Sequence, residues 1–417
     1  MTEMTQRTRT SIHFGSKGGF AATALALAVG MMGTTLPTPL YALYRQRFGF
    51  SELMITVVFA VYAAGVIAAL LLVGRLSDQI GRRRMLLPAL GLSAASAAVF
   101  LLADGLPLLF TGRIISGLSA GIFTGTATAT LVDLAPAEHR GRATLVAAVS
   151  NMGGLGFGVL LAGIVSQWAG SPLRLVFWVY LALLVPAVIG IWAMPEPVRS
   201  TSRPRLRARL PRVPSGLRHV FVRAALAAFA GFAVLGLFTA VAPAFLGQDL
   251  GVTNRAAVGL VVFSVFAAST AGQAMVALLP DEMALPVGCA GLIAGMALLV
   301  LSLAMSSLAL LVAASVTAGV GHGLSFRAGL AALNAGSPAV QRAEVASSFF
   351  VVAYVGISLP VIGEGALAQA IGLRSAGLAF AAAVATLAAV ALTLLASTSR
   401  HRSRRASTPV LPSARAA

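Results

Sequence analysis

The sequence predicts an all-α integral membrane protein of 12 spans with both termini in the cytoplasm, and three observations carry that reading. Of 417 residues, 58% are hydrophobic and 10% charged, with a mean hydropathy of +0.91. A soluble domain carries about 25% charged residues, so the solvent for this chain must be lipid. A bilayer crossing needs about 20 apolar residues, and windows of that length recur to the end of the chain with little left over for a soluble domain. The loop charges are also one-sided. Of 30 Lys and Arg, 23 fall in alternate loops on the side of the N-terminus, five fall on the other, and two (Arg113 and Arg327) lie within spans. That bias orients a membrane protein with its basic loops inside, and it explains the net charge of +18 without a nucleic acid.

The elements follow in order. Residues 1–18 form a basic cytoplasmic segment. Arg7, Arg9 and Lys17 would suit a secretory signal. The apolar stretch that begins near Gly19 runs past Leu36, however, too long for a signal's core, and is read as a retained first span over 19–42. Pro37, Pro39, Tyr41 and Tyr44 at its outer end suit a mobile aromatic gate or an interfacial belt. The second span covers 53–74. After it, residues 74–84 read G-R-L-S-D-Q-I-G-R-R-R. Gly74 and Gly81 permit a close turn, and Asp78 and Arg82 are spaced to pair across one helical turn.

The third span, 85–103, precedes a fourth over 107–134. There Arg113, Gly117, Gly121, Thr124 and Thr128 form a helical stripe of small and polar residues, suited to lining a path or packing a neighbour. A charge at mid-bilayer costs at least about 2.5 kcal/mol, so Arg113 must face a cavity or a partner. The loop from Asp133 to Arg142 carries Pro136, which ends a helix, and Arg140 and Arg142, which face lipid phosphates or the neighbouring loop. The fifth span, 143–168, holds Gly154, Gly158 and Gly163, which allow close helix approach. The sixth covers 173–194, and a Pro-, Ser- and Arg-rich linker follows over 195–222.

The second half repeats the plan, with spans at 223–246, 255–279, 285–304, 308–333, 343–369 and 374–397, and a basic tail over 398–417. At an offset of 202, Pro136 and Arg140 align with Pro338 and Arg342, Gly154 with Gly356, Gly163 with Gly365 and Gly170 with Gly372. The second-half copy of the first basic loop, around Asp281, has lost its glycines and arginines. His322, in the tenth span, is of the side-chain type that titrates near neutrality, though packing as a neutral ring fits equally. Arg327 lies close enough to the cytoplasmic end to snorkel. Glu364, in the eleventh span, is the one acid well inside an apolar run, either a group that changes protonation or an interfacial residue near Arg374. The single cysteine, Cys289, excludes a disulfide framework, and the five histidines show no metal-ligand spacing.

The 74–84 loop resembles the pattern G-x-x-x-D-R/K-x-G-R-R/K of the major facilitator superfamily, with Gln79 at the first basic position. The segment from Arg113 to Gly121 resembles that family's fourth-span motif, and Gly154 to Gly163 its antiporter motif G-x-x-x-G-P-x-x-G-G, with Val159 and Ala162 as departures. The resemblance implies two pseudo-symmetric six-helix bundles, 19–194 and 223–397, around a midplane cavity. It also implies a latch in which Asp78 caps the start of the eleventh helix while Arg82 pairs with Asp133, with Gly74, Gly81 and Arg140 in the same loops. Arg113 is implied in proton coupling, with Glu364, His322, Gly117, Gly121 and Thr124 as further coupling or pathway candidates.

The function this implies is proton-coupled efflux of small amphipathic compounds from a bacterial cytoplasmic membrane by alternating access, with an uptake symporter or facilitator as the alternative. The expected partners are a small-molecule substrate, protons and membrane lipid, with no nucleic acid and a monomeric state. No cofactor is expected beyond the proton gradient. A membrane enzyme is disfavoured because the chain has neither a G-x-x-x-x-G-K-[ST] loop nor an H-E-x-x-H pair, and a sensor because no output domain is visible.

Overall fold

The computed structural model describes residues 15–73, 76–198, 212–338 and 341–406. Residues 1–14, 74–75 (with Gly74), 199–211 of the linker, 339–340 and the tail beyond 406 lie outside the described residues.

Among the described residues the chain is helical throughout, and 12 helices are long and apolar enough to cross a membrane. Spans 1 to 6 are Ser16–Phe48, Glu52–Leu72, Arg82–Leu101, Leu106–Leu134, Ala137–Trp168 and Pro172–Ala193. Spans 7 to 12 are Ser215–Gln248, Arg255–Leu278, Asp281–Met305, Leu308–Gly336, Arg342–Ile371 and Leu373–Ser397. With no water in the hydrocarbon layer, each span must satisfy its own backbone, which only helices and closed barrels can do. Span 1 tightens to a 3-10 turn at Thr38–Leu40, and span 7 widens to a π turn at Leu237–Val241. A short helix, Leu76–Ile80, joins spans 2 and 3.

Two six-helix bundles result. Span 1 packs on spans 4, 5 and 6, and span 2 on span 4; in the second bundle span 7 packs on spans 10, 11 and 12, and span 8 on span 10. The bundles meet along two seams, span 5 against span 8 and span 2 against span 11. Span 7 is 89% buried across its apolar window and span 12 only 28%, so span 7 lies at the centre and span 12 at the lipid-facing rim.

The aromatic cluster at the end of span 1 departs from the interfacial-belt alternative. Tyr41 and Tyr44 are each 1% exposed, because the turn at Thr38–Leu40 redirects them into the first bundle.

Candidate functional site

Arg82, the first residue of span 3, organises one face of the molecule. Its Nη1 lies 2.6 Å from Asp78 Oδ1 and donates to Ser77 Oγ at 2.6 Å, and its Nε donates to Asp133 Oδ2 at 3.0 Å. Glu196, just beyond span 6, accepts the backbone N–H groups of Arg82 at 2.7 Å and Arg83 at 3.0 Å. It therefore caps the N-terminus of span 3, where unpaired amides attract negative charge. Gly81 makes room for this: its φ is +108°, and a Cβ there would come within 2.7 Å of the Glu196 carboxylate.

Glu196 was missed in the sequence because it falls in the basic linker. The legible signal was an acid bracketed by Pro195 and Pro197, directly after a span that ends on the arginine side. Arg140 is exposed at the first turn of the helix that follows, apart from the ion pairs of Arg82. Ala343, at the start of span 11, is exposed. The ion pairs made by Arg82 lie within the first bundle.

Between the bundles lies a cavity of about 680 Å³. Its mouth is on this face, where Asp133 and Arg342 line it from opposite bundles. It runs inward past Asn151 and Arg327 to Arg113, Tyr62 and Tyr354. Beyond that level the bundles are closed. Tyr62 and Tyr354 meet edge to face at 6.0 Å, and Ser358 Oγ donates to the Ala60 carbonyl at 3.4 Å. Arg255 donates its backbone N–H to Gln167 Oε1 at 2.7 Å and its Nη1 to the Ser166 carbonyl at 2.9 Å. Gln248 and Arg45 both donate to Glu52 Oε1. No motif marked these contacts, because they pair single residues drawn from both halves, some within spans 2 and 11 and some at loop ends.

Arg113 is fully buried and serves as a cross-brace. Its Nη2 donates to the Phe59 carbonyl at 3.0 Å, its Nε to the Val58 carbonyl at 3.4 Å and its Nη1 to the Thr34 carbonyl. The Tyr62 ring lies 4.7 Å from its guanidinium carbon. It therefore ties spans 1, 2 and 4 together at the blind end of the cavity. The stripe that continues from it divides. Thr124 and Thr128 line the cavity, whereas Gly117 and Gly121 seat span 4 on Tyr62, Gly65 and Val66 of span 2.

His322 is fully buried behind the cavity wall, with Nδ1 2.8 Å from Ser269 Oγ and its ring against Phe232 and Phe326. Glu364 is 2% exposed and is not among the residues lining the cavity. It faces an apolar recess within the second bundle formed by Leu237, Phe238, Leu299 and Leu303, and its Oε2 has no hydrogen-bond partner. Arg374 instead donates to the Ala304 carbonyl at 2.8 Å. Arg327 lines the cavity, and its Nη1 donates to the Gln273 carbonyl at 2.7 Å, because span 10 turns that position toward span 8.

The span 5 glycines split between two neighbours. A side chain at Gly154 or Gly158 would strike span 1 at Ala28 or Met32, and one at Gly163 would strike span 8 at Arg255 and Gly259.

A profile of the Major Facilitator Superfamily matches residues 23–359. The chain is 30% identical over 155 residues to a triacylglyceride transporter of Mycobacteroides abscessus, a match covering 36% of this chain and 30% of that one. It is 33% identical over 92 residues to the multidrug resistance protein MdtL of Escherichia coli, covering 22% and 24% of the two chains. The chain spans 24% to 39% of the lengths of the triacylglyceride transporters it matches. Among solved structures it is similar to a bacterial homolog of the human lysosomal transporter Spinster, in an inward-facing and unoccupied conformation, with a TM-score of 0.68, 17% identity and coverage of 92% and 97%.

Proposed function

The chain belongs to the major facilitator superfamily, a multi-pass transporter of the bacterial plasma membrane, and from that premise we propose that it exports small amphipathic compounds in exchange for protons. The observation that carries the reading is the cavity between the bundles, open beside Arg82 and closed at the Tyr62–Tyr354 level. A site accessible from one face at a time is what alternating access requires. The basic loops orient the open mouth toward the cytoplasm, so cargo enters from inside. The walls mix aromatic surface with a few polar groups, which suits an amphipathic cargo. The names of the partial relatives, a multidrug resistance protein and triacylglyceride transporters, support an apolar component in that cargo.

Coupling to protons is assigned to Glu364. A carboxyl with an unpartnered oxygen in an apolar recess is tolerated as a neutral group and costly as an anion. The recess abuts the π turn of span 7, so a change in charge there would act on the central helix of the second bundle.

The test is purified protein in liposomes with an imposed pH gradient and a proton-sensitive dye, screened against a compound panel. Proton movement that requires an amphipathic compound is the expected result. Substrate flux that ignores the gradient would replace exchange by facilitated diffusion. Sensitivity of a deletion strain to toxic compounds, rather than failure to grow on a nutrient, is expected from the export direction.

A further inference from the structure

The charge inventory of the cavity is asymmetric. Asp133 is the one carboxylate among the described residues that lines it, and that group sits at the mouth, engaged by Arg82. Three arginines line the same space: Arg342 at the mouth, Arg327 partway in and Arg113 at the blind end. Arg113 spends its donors on backbone carbonyls and has no anionic partner among the described ion pairs. Arg327 is different. One of its nitrogens is bound to the Gln273 carbonyl, and a guanidinium carries five N–H groups in a planar fork. The remaining donors belong to a residue that lines the cavity.

Gln273 supplies the second observation. Its side chain is 3% exposed, lines the cavity, and leaves Nε2 without a hydrogen-bond partner. A buried amide donor left unpaired costs free energy that a ligand acceptor would recover. The Arg327–Gln273 contact therefore brings a cation and an orphaned N–H donor to one patch of wall, with Phe326 and Phe266 beside them. Both donors are suited to a carboxylate, sulfonate or phosphate oxygen, and the rings to an apolar body.

We propose that the cavity selects amphipathic organic anions over cations, with the anionic head at Arg327 and Gln273 and the apolar body against Phe326 and Phe266. The proposal names the substrate class of the transport site and rests on that reading for its location. Arg327 supplies the charge, Gln273 the directional hydrogen bond. The absence of any deep carboxylate among the described residues removes the counter-charge that an organic cation would need. Arg342 at the mouth draws anions inward by the same potential.

The experiment is equilibrium binding by titration calorimetry of the full chain in neutral detergent, with empty micelles as control. The probes are naphthalene-2-sulfonate and 2-naphthyltrimethylammonium, which share a ring system and differ in the sign of the head. The sulfonate should bind about tenfold more tightly than the ammonium. Arg327→Gln should erase the preference, Arg327→Lys should keep most of it, and Gln273→Glu, whose carboxylate would neutralise Arg327, should also erase it. Equal affinity, tighter binding of the cation, or no binding of either probe to the unmodified chain overturns the proposal without recourse to any variant. So does a preference that survives Arg327→Gln. An anion preference without flux in liposomes would uphold this site and sink the transport reading. Proton-coupled flux of both probes at equal affinity would do the opposite.

Discussion

Gly163 and Gly365 stand 202 positions apart and hold the same station in the two bundles. Gly163 brings span 5 against Gly259 of span 8, where an added Cβ would come within 3.1 Å of the Gly259 Cα. Gly365 brings span 11 against Thr56 of span 2, where an added Cβ would lie 3.1 Å from the Thr56 Cβ. The pair nine residues earlier behaves likewise, Gly154 seating on Ala28 of span 1 and Gly356 on Phe229 of span 7. The internal repeat is thus a repeat of contacts. Both seams of the closed gate depend on side chains small enough to let backbones meet.

A disulfide at the second seam should arrest the protein. Thr56→Cys with Gly365→Cys places two sulfurs on neighbouring helices at a separation a disulfide can bridge with a small outward shift. Mild oxidation is expected to stop transport in liposomes and a reductant to restore it. Cys289 is buried and should not interfere. Full transport by the crosslinked form would mean that this gate need not open.

Asp78→Asn should separate stability from transport. The Asp78 side chain is 54% exposed, so its ion pair with Arg82 contributes at most about 1 kcal/mol to folding. Membrane insertion and thermal stability should be nearly unchanged. Transport should fall by about tenfold or more, equivalent to roughly 1.4 kcal/mol in the barrier, the outcome expected of the latch residue that the loop's resemblance implies. A transport rate matching the unmodified protein would remove the latch.

The span 3 cap makes a prediction about stability. Glu196→Ala leaves the amides of Arg82 and Arg83 without their acceptor and should cost about 1 kcal/mol. Gly81→Ala should cost more, about 1–3 kcal/mol, since the backbone stays at positive φ and the methyl group meets the Glu196 carboxylate. Thermal unfolding in detergent reads both. If the two variants melt together with the parent, the carboxylate does not act as a cap.

Arg113 separates brace from coupling residue. In Arg113→Leu the carbonyls of Thr34 and Phe59 lose their donor in a buried site, each at about 1–3 kcal/mol. Little folded protein should be recovered. Arg113→Lys keeps the charge, but a single ammonium cannot reproduce the planar fork, so it should fold with reduced stability. A well-folded Arg113→Leu that loses only pH-driven transport would restore the coupling role.

Glu364→Gln addresses coupling. The amide fits the apolar recess and cannot ionise, so a pH gradient should no longer drive accumulation. Exchange of substrate down its own gradient should persist within about threefold, because the residue does not line the cavity. Gradient-driven accumulation by this variant would move the proton site elsewhere.

Several of these features were legible residue by residue. The spacing of Asp78 to Arg82 predicted an ion pair that forms at 2.6 Å, and the resemblance of the loop implied the contact of Arg82 with Asp133, which forms at 3.0 Å. Gly154, Gly158 and Gly163 read as packing positions, which is how they are used. That Arg327 lines the cavity was not legible, because distance from a helix end says nothing of which side of the helix faces it. The stripe from Arg113 was read as one surface, yet its glycines face span 2 and its threonines the cavity, since the packing angle between helices rotates a stripe out of one environment into another.

Composition, the periodic recurrence of apolar windows and the basic-loop motif determined by themselves that this is a 12-span membrane protein. They did so because lipid leaves the backbone almost no freedom of choice. Which face of the cavity is open, that Glu196 reaches across 114 positions to cap span 3, and that Arg327 and Gln273 share a wall were decided only by tertiary structure. Each depends on where separate helices come to rest against one another, and no local pattern in the chain encodes the direction in which a side chain then points.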